Sequence, residues 1–211
     1  MHDDYYLGGY DEEGTYTLYV TYKCNWRCDY CSEDTWNRPR VDNLQEKLDS
    51  IHPNSDVSIT GGEPGILPKD IMEDVINQLI EKNCIINVNT NGTFFKRFKY
   101  LDDKVDSYLY HCSEQLEDEE IIIPDIDQSK IQYMLVITDD NMDRLEYYVS
   151  KYPEINFLIF GADNVIGKGL SRKNGFEISR KFRGRIDEDS HIHLITSCWE
   201  VNQMRNLRAL R

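Results

Sequence analysis

No run of 18 apolar residues occurs in the 211-residue sequence, so none of its segments reads as a membrane span. The opening Met1-His2-Asp3-Asp4 lacks the basic and then apolar stretch of a secretory signal, and the expectation is a cytoplasmic protein. Proline and glycine are sparse, 6 and 12 residues. With 40% hydrophobic and 29% charged residues, that excludes collagen-like and disordered chains and leaves a globular fold with a real core. Basic residues are in deficit too: 24 Lys plus Arg face 38 Asp plus Glu, a formal net charge of −14 that argues against a nucleic-acid partner. The deficit is uneven, since residues from Lys168 to the end carry +5 and those before it −19. Internal repeats and low-complexity linkers are missing as well, and a single domain is expected.

What is present is an alternation of periods. Strand patterns over 15–22, 57–60, 85–90, 106–111, 131–138 and 155–160 are separated by helical patterns over 43–50, 69–82, 94–100 and 141–151. The second helix is expected to start at Pro68 and to bury Ile71, Val75, Ile76, Leu79 and Ile80 on one face. Residues 113–130 break the pattern as an irregular crossover, and a further strand over 191–197 is an option. Strands alternating with helices predict a parallel α/β sheet, and six strands with five crossovers suit an open, partial (β/α)6 barrel. The expected division is an N-terminal arm over 1–14, the barrel core over 15–163 and a basic C-terminal extension over 164–211.

Six cysteines in a reducing compartment point to ligands, reactive thiols or core residues before disulfides. Cys24, Cys28 and Cys31 are bunched on one predicted loop, compact enough to converge on a single metal centre. A structural zinc site wants four ligands, and no fourth Cys or His is near in sequence. A [4Fe–4S] cluster held by three thiolates differs in that one iron keeps open coordination positions for a substrate or cofactor.

At these residues the sequence resembles the radical S-adenosylmethionine (SAM) superfamily, whose signature is C-x3-C-x2-C with an aromatic residue, here Tyr30, before the third Cys. Thr60-Gly61-Gly62-Glu63-Pro64 matches that family's Gly-Gly-Glu motif, and Asn89-Thr90-Asn91-Gly92 matches a Thr-Asn-Gly sequence common in it. Both follow predicted strands, at the ends where parallel barrels place their sites. The resemblance covers about 15–163. It implies an enzyme in which Cys24, Cys28 and Cys31 ligate a [4Fe–4S] cluster and SAM chelates the open iron. Gly61 and Gly62 would let the backbone approach the methionine moiety, Glu63 would receive its amino group or fix the turn, and Tyr30 would lie against the adenine. Asn89, His111, Ser113 and Thr138, at strand ends, become candidates for ribose or substrate contacts. The implied reaction is one-electron cleavage of SAM to methionine and a 5′-deoxyadenosyl radical that abstracts hydrogen from a small molecule or a peptide.

Alternation along the fourth strand puts either His111 or Cys112 toward the barrel mouth. Cys112 and Cys198 are candidate thiol hydrogen donors, with plain packing as the bland alternative for both, and Cys84 reads as a buried inert thiol. Arg27, Arg38 and Arg40 offer a docking spot for a reductase or a flavodoxin- or ferredoxin-type electron donor, or else a solvated basic edge. The turn over 164–169 with Gly167 and Gly169 resembles a glycine turn found at this place in several members. Three other readings stand beside the main one. The 7-carboxy-7-deazaguanine synthase group is similarly short, but usually has Asp-Thr directly after the third Cys and Gly-Glu-Gly upstream. Here the corresponding stretches are Ser32-Glu33-Asp34-Thr35 and Asp11-Glu12-Glu13-Gly14. A glycyl-radical activase fits by size, and a metal-binding interaction protein is the non-enzymatic alternative.

Overall fold

The computed structural model describes residues 14–28, 30–31, 41, 43–112, 120–155, 157–161, 174 and 192–195. The elements run β1 (Thr15–Thr21), α1 (Leu44–Ser50), β2 (Asp56–Gly61), α2 (Lys69–Glu81), β3 (Ile85–Thr90), α3 (Thr93–Phe98), β4 (Ser107–His111), β5 (Ile131–Ile137), α4 (Leu145–Lys151), β6 (Phe157–Gly161) and β7 (Ile192–Ile195). The chain forms two compact units. One carries β1 to β4, the other β5 to β7 with the segment from Cys28 to Cys31. In each unit the strands are parallel, as βαβ connections require, and neighbours follow chain order. The mixed α/β class and the six expected strands are therefore found. β7, where the sequence offered only an option, pairs with β6 through Phe157 and Ile192. No helix among the described residues is long and apolar enough to cross a membrane.

Two faces of the first unit differ in chemistry because side chains alternate along each strand. Tyr16, Leu18, Val57, Ile59, Ile86, Val88, Tyr108 and Tyr110 are buried. Phe95 of α3 meets the rings of Tyr108 and Tyr110 edge-on, with centroids 5.0 and 5.2 Å apart. On the opposite face Thr17, Ser58, Asn87 and Ser107 stand opposite one another across four strands in register. Asn87 sits at the middle of this polar row, donating to the Asp56 carboxylate and accepting from the Ser107 hydroxyl.

α2 starts after Pro68, as expected, but its buried stripe is Met72, Val75, Ile76 and Leu79. Ile71 and Ile80 are exposed and flank that stripe: spacings of three, four and seven from Met72 define one helical face, and Ile71 falls beside it. The third helix ends at Phe98 and continues as a 3-10 turn over Lys99–Lys104, and α4 begins at Leu145 after a 3-10 turn over Met142–Arg144. Cys84 is half-buried just before β3, its thiol directed to the His52 carbonyl at 3.7 Å, which corrects the expectation of a buried strand thiol. Lys82 grips the carbonyls of Leu48, Asp49 and Ile51 at the end of α1, placing its charge where the helix dipole is negative.

Candidate functional site

Between Tyr19 and Thr21 the pairing of β1 with β2 shifts register, and the chain leaves the sheet toward Cys24 along an altered path. The loop after β2 lies directly against this exit. The Gly62 N–H donates to the Thr21 carbonyl and the Glu63 N–H to the Lys23 carbonyl, both at 2.8 Å. A Cβ on Gly61, whose φ is +141°, would stand 2.0 Å from the Thr21 oxygen, and one on Gly62 2.1 Å from the Lys23 oxygen. Only glycine fits at either position. The bare backbone of the Gly-Gly pair thus fastens the β2 loop to the segment that delivers Cys24.

Glu63 is 1% exposed. Its Oε1 accepts from the Gly65 N–H and the Thr90 hydroxyl, and its Oε2 from the Asn91 N–H, each at 2.7 Å. Burial pushes the carboxyl pKa up, and the surrounding donors, the Asn91 N–H foremost, pull against that. The carboxylate is turned inward and joins the end of β2 to the end of β3.

The end of β3 completes the arrangement. Thr90 Oγ1 accepts from the Gly92 and Phe94 N–H groups at 3.0 and 3.3 Å while donating to Glu63. Gly92 takes φ +97° and packs against the Tyr110 ring. Asn91 Nδ2 donates to Asn25 Oδ1 at 3.0 Å, Asn25 Nδ2 to Thr93 Oγ1 at 3.0 Å, and Thr93 Oγ1 to Asn91 Oδ1 at 2.8 Å. The same Asn91 Nδ2 lies 3.9 Å from Cys24 Sγ, which also receives the Trp26 N–H at 3.3 Å.

The Thr-Asn-Gly motif contains Thr90 and Asn91, but the resemblance points to Asn89 for a role, and no sequence signal marks Asn25 or Thr93. Asn89 points from the strand face opposite Thr90 and is half-buried. In the other unit, Cys28 and the exposed Cys31 bracket a turn closed by the Cys31 N–H on the Cys28 carbonyl at 3.0 Å, with Tyr30 half-buried inside it. His111 shares with Ser107 the polar side of β4, and burial holds its imidazole down to about 4. Cys112 is fully buried, its thiol donates to the Met134 carbonyl at 3.4 Å, and desolvation pushes its pKa up. Of the two, His111 shares its side of β4 with Ser107 and Leu109, and Cys112 is packed inside. Thr138 is buried and accepts the Asp140 N–H at 3.3 Å. Ser113, Cys198, Arg38, Arg40 and the turn over 164–169 lie outside the described residues.

Comparison with known proteins gives this arrangement a setting. No family model matches the sequence. The chain is 25% identical over 173 residues to 7-carboxy-7-deazaguanine synthase of Methanospirillum hungatei, covering 80% of this chain and 72% of that protein. Its fold is shared with anSMEcpe solved with bound AdoMet, at TM-score 0.56 and 14% identity over 81% of this chain. SuiB of Streptococcus suis bound to S-adenosylmethionine matches at TM-score 0.52 and 15% identity over 87%. The sequence likeness and the shared fold agree with the resemblance to the radical SAM superfamily. The chain spans 60% of the length of the first of those structures and 47% of the second. A further structure, anSMEcpe with AdoMet and the Cp18Cys peptide, matches at TM-score 0.55 and 13% identity, covering 84% of this chain and 62% of that one.

By the chemistry of its donors the chain fits the cofactors that this resemblance implies. Among the described residues no three His, Cys, Asp or Glu side chains are gathered tightly enough for a single ion. A [4Fe–4S] cluster instead bonds each thiolate to a different iron, and by residue type Cys24, Cys28 and Cys31 would be the thiols to supply three. Cys24 Sγ already faces two N–H donors, the partners a cluster thiolate takes.

Proposed function

We propose that the chain is a radical SAM enzyme that abstracts hydrogen from a small-molecule or peptide substrate. The observation that carries this reading is the fastening of the Cys24 loop, through Gly61, Gly62, Glu63 and Asn91, to the ends of β2 and β3. Cys24, Cys28 and Cys31 would hold a [4Fe–4S] cluster. When bound, the cluster and SAM supply one-electron reductive cleavage and a 5′-deoxyadenosyl radical.

The chain's own residues bind and orient. Gly61 and Gly62 keep the loop close to the β1 exit, Glu63 holds the turn, and Tyr30 lies in the cysteine turn where it would flank the adenine. Asn89, Ser113, Thr138 and His111 are the proposed polar contacts at strand ends. With its pKa near 4, His111 is neutral at physiological pH and can accept a hydrogen bond as well as donate one. A reductase or a flavodoxin- or ferredoxin-type donor would supply the electron. A peptide substrate is supported by the neighbour solved with a peptide.

Anaerobic reconstitution should give about four iron and four sulfide per chain, and SAM with dithionite should then yield 5′-deoxyadenosine. A yield no higher than that of Cys24→Ala would defeat the proposal. The named relative favours a second reading, deazaguanine synthesis. Its check is direct: mass spectrometry for 7-carboxy-7-deazaguanine in reaction mixtures of the reconstituted protein.

A further inference from the structure

We infer that Asn91 is a positioning residue for the cluster, which latches the loop carrying Cys24 and raises the cluster's reduction potential through a side-chain N–H aimed at the Cys24 sulfur. The inference rests on the cofactor reading above and deepens it. Asn91 is 9% exposed at the end of β3, and its backbone N–H is already held by Glu63.

The orientation of its amide is dictated by its neighbours. The Thr93 backbone N–H, a group that can only donate, lies 3.2 Å from Asn91 Oδ1, so that atom must be the carbonyl oxygen. The Nδ2 then faces the cluster loop. It carries two protons: one goes to Asn25 Oδ1 at 3.0 Å and the other is directed to Cys24 Sγ at 3.9 Å. Asn25 is oriented in turn by its Nδ2 bond to Thr93 Oγ1, and the Thr93 hydroxyl closes the ring on Asn91. Every donor in this ring meets an acceptor, so no amide can turn over without placing two donors face to face.

An N–H directed at a thiolate ligand stabilises the more negative, reduced state of a cluster, and hydrogen bonds to sulfur are among the factors that set iron–sulfur potentials. Two effects follow and separate cleanly. The contact with sulfur acts on the potential, and the contact with Asn25 acts on the order of the loop.

The test uses the full chain, anaerobically reconstituted, with potentials read by electron paramagnetic resonance during a redox titration and loop order read by amide hydrogen exchange at Trp26. In Asn91→Ala the reduced-to-oxidised ratio at the wild-type midpoint should fall roughly three- to tenfold, the effect of one lost hydrogen bond, and Trp26 exchange should quicken. In Asn25→Ala exchange should quicken while the potential stays in place. Should Asn91→Ala not fold, Asn91→Ser serves with the same expectations, because its hydroxyl can still accept from Thr93 but has no amide to aim at sulfur. A fully loaded Asn91 variant with the wild-type potential, or with unchanged Trp26 exchange, overturns the inference. Failure of the wild-type chain to take up a cluster overturns the cofactor reading instead.

Discussion

The ends of β3 and β5 use nearly the same residue types for opposite purposes. At β5, Thr138 and Asn141 close on their own neighbourhood. The Thr138 N–H donates to Asn141 Oδ1 at 2.8 Å, Asn141 Nδ2 to the Val136 carbonyl at 3.2 Å, and the Asp140 N–H to the Thr138 hydroxyl. At β3, Thr90 and Asn91 reach residues 27 and more positions away, to Glu63 and to the Cys24 loop. A threonine and an asparagine at a strand end therefore say nothing of a site by themselves. What sets the β3 end apart is a buried carboxylate that gathers donors from two loops, together with two glycines that bring a third segment within reach.

The comparison breaks most severely at Glu63. Glu63→Ala leaves the Thr90 hydroxyl and the Gly65 and Asn91 N–H groups without their acceptor in a buried space. We expect a loss of about 3 kcal/mol or more in urea unfolding. The end of β4 provides the next test. His111 has a folded pKa of about 4, below its ordinary 6.5, so the unfolded chain takes up the proton first as pH falls. The stability that neutral His111 contributes is complete above pH 6.5 and is lost as pH drops toward 4, by up to about 3 kcal/mol. Urea midpoints across this range should flatten in His111→Gln.

Thr90→Val keeps the shape of the side chain and removes three hydrogen bonds. A cost of about 1–3 kcal/mol is expected by thermal unfolding, with faster hydrogen exchange at the Gly92 and Phe94 amides. Asn141→Ala should cost the least, about 1 kcal/mol, and exchange at Asn91 and Trp26 should stay at wild-type rates. Coupling between Asn141 and those amides would contradict the self-contained character of the β5 end.

Much of this was readable from the sequence for a physical reason. Strand alternation and helix period are short-range signals, and the six strands fall within two residues of where the apolar pattern places them. On α2 residue type favours Ile71 and Ile80, whereas Met72 fills the position the period demands. The cysteines, Gly61, Gly62 and Glu63 stand out as motifs. The triangle of Asn25, Asn91 and Thr93 does not, because it depends on two loops separated by more than 60 residues meeting in space. Glu63 carries the same lesson: its side chain turns inward, and that direction is set by donors on another strand's loop.

The polar row of Thr17, Ser58, Asn87 and Ser107 has a consequence for how the chain finds its fold. Parallel strands lack the tight turn that fixes alignment in a hairpin, so their alignment must be chosen from many offsets after long stretches of chain have been brought together. A slip of one residue would turn a strand over and press Asn87 or Ser58 into the layer of Phe94, Phe95 and Tyr108. Such a mispairing is costly from its first contact. The row thus adds a penalty of its own against wrong offsets, separate from the loops above it.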